Sequence, residues 1–407
     1  MKKLVLPVIF TVVGVCFTAY SFLDTFIIVK NARDVDLDHN SAISFNDNPF
    51  SVPSSHPSNS SSSSNSSNSF SSSNSSNKEE EFTFIYNGKR YYENMQNEQI
   101  NSLFTNEKVF KEREHYSDPD IYIDITTHRD DADTTTYYVA DIRIKTLGYF
   151  RTALAEDKFG MHIKERTSDI CKRKKGILAI NGDTYGEQEG GYVVRNGTGL
   201  RSSKNLNRMR GTTSKAEDLV IHTDGTFSVI DERETTLVIH EPEGNTEAEK
   251  EQNKGKKFDL LDSNSALIGN QTNIWQVFSF GPALVKNNEV SVNENEEVGV
   301  ALSGNRNQRC AIGIISPCHY CFVVSDGRNS ESSGISLFTL GTIMKNLHCE
   351  TAYNLDGGGS ATMYLDDGTG NANKLGHLVN TPGQLEGDKT VKQREVSDIV
   401  YIGKNQA

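Results

Sequence analysis

The residues best suited to chemistry lie near the C-terminus, in Asn354-Leu355-Asp356-Gly357-Gly358-Gly359-Ser360. Apolar runs on either side, 351–353 and 361–365, read as strands. Three glycines in a row weaken a sheet, so they imply a turn that other groups must approach closely. Their exposed N–H groups could form a concave anion site. Asp356 sits where the strand breaks, and Ser360 adds a hydroxyl beyond it. A carboxylate beside an anion cradle points to acid–base or nucleophilic chemistry on a phosphorylated or sugar substrate. The plainer alternative is a glycine-rich hairpin in which Asp356 only holds the turn. No Gly-Lys-Ser/Thr follows, the glycines are not spaced as in a dinucleotide fingerprint, and the Asp/Asn ladder of an EF-hand is missing.

Two other apolar runs end in the same style, at Asn181-Gly182-Asp183 and at Asp326-Gly327-Arg328. Taken singly, each is an ordinary Asx–Gly turn. If the three strands are neighbours, their ends gather carboxylates, amides and an arginine into one cleft.

Strand signals dominate the elements that must position these residues. Segments 121–125 and 137–144 alternate with the period of half-buried strands. Segment 177–180 is a short apolar run, 219–230 reads as a hairpin turning at Asp224-Gly225, and 275–292 contains two more strands. Helices are expected at 164–174 and 336–347, the second with Leu337, Leu340, Met344 and Leu347 on one face and Ser336 as cap. Few helices among many strands predict an α+β fold built on one large mixed sheet. Residues 246–257, rich in Glu, Lys and Gln, read as a solvated loop insertion.

The chain has 407 residues. Residues 4–23 carry no charge and follow Lys2 and Lys3, a length that suits a bilayer-spanning helix of roughly 20 residues. A cleaved signal peptide competes with this, but no small-x-small cleavage site follows, so an uncleaved signal anchor over 1–30 is expected. Residues 51–77 hold 17 Ser and 5 Asn, too little apolar surface to order. A disordered linker is expected over 31–80; its Ser/Asn-rich part with polar flanks, about 46–80, would reach roughly 30–35 Å and hold the rest off the membrane. Residues 81–407 are then one domain with its core at about 121–403, and 81–118 a loosely attached lead-in. A net charge of −12 argues against a nucleic-acid partner. Of six cysteines, Cys318 and Cys321 have Cys-x-x-Cys spacing without the second pair of a zinc ribbon, which leaves a turn disulfide or two thiols ahead of a metal site.

Several blocks, in order, resemble the phosphodiester glycosidase family: Ala179-Ile180-Asn181-Gly182, the run Gly191 to Gly197, Arg309 to Gly313, Asp326-Gly327-Arg328, Gly334-Ile335 with Leu337, and the Asn354 to Thr362 stretch. The resemblance covers about 121–403. It implies a hydrolase that cleaves the glycosyl–phosphate C–O bond of a sugar-1-phosphodiester of the N-acetylglucosamine kind, and the expected anchor and tether then point to an extracellular enzyme acting on a cell-surface or teichoic-acid-like polymer. It implies no required cofactor and is compatible with a structural divalent cation. The Asn-Gly is followed here by Asp183-Thr184-Tyr185, where relatives often have Gly-Phe-Phe or Gly-Tyr-Phe. An acidic position of the family falls on Gln188, between Glu187 and Glu189. Such cleavage passes through an oxocarbenium-like state and usually employs two carboxyl groups. Asp356 is the candidate base or nucleophile, Glu187 or Glu189 its partner, and Asp326 a third option. Arg309 and Arg328, with planar forks suited to phosphate, are the candidate clamp together with the Gly357, Gly358 and Gly359 amides and Ser360. Asn181 and Asn354 would orient sugar hydroxyls or the carboxylates. Two rivals stand beside this: a non-catalytic carbohydrate or cell-wall binding module, and a metal-dependent phosphodiesterase that cuts P–O using Asp183, Asp326 and Asp356 as oxygen ligands. The sequence does not specify the oligomeric state.

Overall fold

A computed structural model describes residues 18, 30–38, 43–45, 82–93, 95–206, 216–293, 297–298, 301–302, 305–371, 376–383 and 392–404. The proposed anchor at 4–23 lies outside them except for Thr18. No helix among the described residues is long and apolar enough to cross a membrane.

The alternation in 121–125 is realised directly. Ile121, Ile123 and Ile125 enter the core while Tyr122 and Asp124 stay half-exposed, because successive side chains of a strand face opposite ways. This strand, Ile121–Asp130, forms a ten-residue hairpin with Thr135–Ile144. The hairpin lies within a nine-stranded sheet that continues through His319–Ser325, Cys310–Ser316, Thr351–Asn354 and Ala283–Lys286. His319–Ser325 and Cys310–Ser316 are buried along their whole length. A five-stranded sheet centred on Leu178–Asn181 carries Met363–Leu365 on one side and Asp398–Ile402 then Phe150–Leu154 on the other. Another five-stranded sheet holds Thr198–Arg201, Val193–Arg195, Ile274–Phe278, Glu217–His222 and Phe227–Asp231. The main core lies between these sheets, where Phe150 meets Phe227, Tyr320 and Phe322 edge-on. The fold is α+β, as the sequence implies. The single mixed sheet is not formed: the strands divide among several sheets, and every described pairing within the three main ones is antiparallel.

The helices Thr167–Arg173 and Leu337–Asn346 fall inside the expected segments, and the Ser336 hydroxyl accepts from the Thr339 N–H at 2.8 Å. Two more helices were not anticipated. Asn97–Leu103 buries Ile100, and Glu247–Asn253 rides exposed in the segment read as a plain loop. The second has a capping box between Thr246 and Glu249, a pattern visible in the sequence.

Two boundary expectations are corrected. Residues 31–38 and 43–45, assigned above to the linker, and Lys30, assigned to the end of the anchor, belong to the folded body. Lys30–Asp34 pairs with Lys158–Met161. Leu37 packs among Leu154, Tyr185, Val193 and Leu200, and its carbonyl accepts from Arg151 at 3.0 Å and Asn196 at 3.2 Å. Ile43 joins the main core, and Phe45 stands edge-on to Trp275 at 4.8 Å. Composition pointed to a linker because these apolar residues are few; burial of Leu37 and Ile43, with Val35 and Phe45 packed against the same clusters, makes the difference. The Ser/Asn tract therefore connects two docked segments and does not space the body from residues 4–23. The lead-in is likewise firmly attached: the Asn87-Gly88 hairpin buries Tyr91 completely, and Glu93 makes a paired, buried contact with Arg143 at 2.8 and 2.9 Å.

The chain turns at Pro317-Cys318, so Cys321 lies within the strand His319–Ser325, opposite Gly313. Cys318 faces the main core, whereas Cys321 faces the cluster beneath Leu337–Asn346 and lies 3.3 Å from the Cys349 sulfur. The described cysteines are free thiols and buried, and no cluster of metal-ligand type occurs among the described residues.

Candidate active site

Two strand ends from different sheets meet at Asp356. The Asp356 N–H donates to the Gly182 carbonyl at 3.3 Å, and the Asn181 amide donates to the Asp356 carbonyl at 2.7 Å while accepting from the Thr362 N–H at 3.2 Å. Fully buried Asn181 is thus a clamp between loops. Asn354 does similar work, donating to the Gly281 carbonyl at 2.8 Å. Both amides hold backbone, where the sequence reading had them orienting sugar hydroxyls or carboxylates.

Beside this junction lies a cavity of about 270 Å³, lined by Lys164, Asp183, Thr184, Glu187, Asp356, Ser360 and Arg394, with 395–397 completing the wall. Burial raises the Asp356 carboxyl to about 6, against the opposing pull of the Ser360 hydroxyl, the Arg394 charge and the Gly357 N–H; Asp183 adds to the rise. A carboxyl in that range is ionised at neutral pH yet basic enough to accept a proton.

The three glycines answer to different constraints, close approach at Gly357 and Gly359 and backbone conformation at Gly358. A Cβ on Gly357 would sit 2.7 Å from the Gln308 carbonyl, and one on Gly359 would sit 2.8 Å from the Arg394 guanidinium. Gly358 has φ +60°, with the Arg328 guanidinium 3.6 Å from where its Cβ would be. The expected cradle of three amides is reduced by internal bonding. The Gly357 N–H serves the Asp356 carboxylate and that of Gly358 the Gln308 carbonyl at 2.9 Å. Of the three, only the Gly359 N–H lacks an acceptor among the described residues.

Behind the cavity, Arg195 is fully buried between two carboxylates, 2.9 Å from Asp183 and 2.8 Å from Asp398. It packs over the Phe278 ring at 4.3 Å. Burial opposes the guanidinium charge, but the two carboxylates outweigh it and raise its pKa. Asp398 is pushed up to about 7 by burial, with Arg195 pulling down and Asp183 pushing up. Asp183 also accepts from the Tyr185 N–H at 3.0 Å and the Ser279 N–H at 3.2 Å. Gly182 is needed here, since a Cβ would lie 2.2 Å from an Asp398 oxygen.

The other candidates separate. Glu187 lines the cavity and pairs with Lys164 at 2.6 Å, whereas Glu189 is exposed and outside the lining. Asp326 also stays outside it: its oxygens accept from the Thr381 N–H at 2.7 Å and the Tyr138 hydroxyl at 3.2 Å, and burial raises its pKa. Asp183, Asp356 and Asp326 therefore form no shared oxygen cage. Arg309 and Arg328 lie by the glycine turn but not in the cavity wall. Sequence reasoning missed Arg394, Lys164 and Asp398. Arg394 and Asp398 follow a polar stretch with no motif; Lys164 was read only as the start of a helix.

Comparison with known proteins follows the same line. The phosphodiester glycosidase family profile matches residues 174–403. No curated protein matches. Among solved structures, the chain is similar to the catalytic domain of zebrafish N-acetylglucosamine-1-phosphodiester alpha-N-acetylglucosaminidase, auto-inhibited by its pro-peptide, at 18% identity and TM-score 0.48, covering 73% of this chain and 88% of that one. A hypothetical protein from Synechocystis matches at 15% identity and TM-score 0.42, covering 70% of this chain and 62% of that one. With the profile spanning more than half of its length, the chain belongs to the phosphodiester glycosidase family.

Proposed function

We propose that the protein hydrolyses the glycosyl–phosphate C–O bond of a sugar-1-phosphodiester of the N-acetylglucosamine kind, outside the cell and behind a single-pass anchor at residues 4–23. The observation that carries this reading is the cavity that joins Asp356, raised to about 6, to the Arg394 guanidinium, whose charge acts on it, and to the Ser360 hydroxyl. Arg394 would take the phosphate, in keeping with the fork geometry of arginine. Asp356 would draw the proton from a water whose oxygen attacks the anomeric carbon, or would attack that carbon itself to form a glycosyl ester that water then displaces, freeing the sugar and the carboxylate. The C–O bond breaks towards phosphate, and the phosphomonoester leaves with the electron pair. A phosphomonoester is a good leaving group, so acid assistance is a minor demand. Glu187, held by Lys164, would be the partner carboxylate, with Asp183 and Glu395 also in the cavity wall. Asp183, Arg195 and Asp398 would fix the wall behind Asp356.

The test is incubation of residues 30–407, as wild type and as Asp356→Asn, with an N-acetylglucosamine-1-phosphodiester in ¹⁸O-water. Free sugar carrying the label, from the wild type alone, is the expected product. Sugar-1-phosphate, or label in phosphate, would overturn C–O cleavage; ligand binding without any product would favour a binding module.

A further inference from the structure

Arg309 and Arg328 form a second cationic feature beside the cavity. Arg309 is half-buried, and among the described residues its guanidinium donates to neutral carbonyls alone, of Ile335 at 3.2 Å and Asn305 at 2.8 Å. Arg328 is exposed, with a left-handed φ of +56°, and has no hydrogen bond or ion pair among the described residues. The two charges act on each other: burial, then the Arg328 charge, lowers the Arg309 pKa to about 10. Like charges side by side without a carboxylate are unfavourable unless an anion joins them. The nearest carboxylate in sequence, Asp326, directs its oxygens to Thr381 and Tyr138. Gln308, fully buried and packed against Gly327, leaves both amide atoms without a partner among the described residues, and an orphaned buried amide calls for a specific cause.

The cavity holding Asp356 and Arg394 excludes this pair. At about 270 Å³ it falls just below the range of about 300–1,000 Å³ typical of drug-sized ligands, which suits little more than one sugar ring. Arg394 covers Gly359 and Arg328 covers Gly358, residues whose Cα atoms are ~3.8 Å apart. Arg328 and Arg394 thus lie against neighbouring residues of the same turn.

We infer that the substrate carries a second anionic group on its leaving side, a phosphate of a repeating phosphodiester chain, and that Arg309 and Arg328 form the subsite that receives it. This rests on the reading of the cavity as the site of hydrolysis. It makes the preferred substrate a polyanionic polymer and not an isolated sugar-1-phosphodiester.

Two synthetic substrates test it. Both carry an N-acetylglucosamine-1-phosphodiester head; one has a neutral alcohol as aglycone, the other a glycerol phosphate diester. The wild type should show a KM at least ten-fold lower for the second, and Arg328→Ala should abolish that preference. Arg328 is exposed, so the variant should fold, which a thermal melt checks. Equal rises of both KM values in Arg328→Ala would overturn the inference, because the pair would then grip the scissile phosphate itself. No preference in the wild type would overturn it too. Calorimetric binding of a glycerol phosphate oligomer to the Asp356→Asn protein keeps the subsite testable if no substrate is hydrolysed. Binding weakened ten-fold or more by Arg328→Ala and by Arg309→Gln supports the subsite; binding unchanged by both refutes it.

Discussion

Removing residues 30–45 should destabilise the folded body, although composition places them in a linker. Leu37 and Ile43 are 4% and 9% exposed, and burying each contributes about 1.5–3 kcal/mol. The edge-on contact of Phe45 with Trp275 adds roughly 0.5–1.5 kcal/mol. The sum is about 4–7 kcal/mol, an upper estimate because unfolded chains already bury some apolar surface. Domains are stable by about 5–15 kcal/mol, so the loss is severe. At roughly 2–4 °C per kcal/mol for domains of this order of size, the melting temperature should drop by on the order of 10–20 °C. The assay compares thermal melts of fragments 30–407 and 82–407. A synthetic peptide of residues 30–45 should restore part of the loss in a concentration-dependent way, since it binds only the folded form. Coincident melts of the two fragments would refute the packing argument and return these residues to the linker.

Other outcomes follow from the site. Because Asp356 must be ionised to act as base or nucleophile, kcat/KM should rise with pH through about 6; a limb falling through that value would make it an acid. The raised pKa values of Asp356 and Asp398, about 6 and about 7, favour their neutral forms in the fold. The stability this confers is complete below the unfolded value of about 3.9 and is lost as pH rises through 6 and 7, which denaturant titrations at pH 4 and 8 would register. Gly359→Ala should keep the fold yet raise KM about ten-fold or more, because its Cβ displaces the flexible Arg394 head; unchanged kinetics would remove Arg394 from the site. Arg195→Leu leaves Asp183 and Asp398 buried without their cation and should cost about 3–5 kcal/mol in chemical denaturation, where a loss below 1 kcal/mol would contradict the geometry.

Much of the local structure was legible because it depends on neighbours in sequence. The isoleucines at 121, 123 and 125 declare a strand by their alternation, Ser336 announces its helix, and the glycines after Asp356 mark a turn that other groups crowd. The family blocks likewise brought Asp356, Glu187 and Arg328 into view. What sequence could not order is which of these meet. Asp356 and Asp183 share a cavity because strands from two different sheets end together, while Asp326, with the same Asp–Gly signature, turns aside to Tyr138 and Thr381. Arg394 has no motif and becomes part of the site only by lying on Gly359. Leu37, Ile43 and Phe45 look like stray apolar residues beside a serine tract until the body offers them Leu154, Tyr185 and Trp275. Periodicity and turn chemistry act over a few residues and are written locally. Burial and charge pairing act between segments far apart in the chain, so only the tertiary structure decides them.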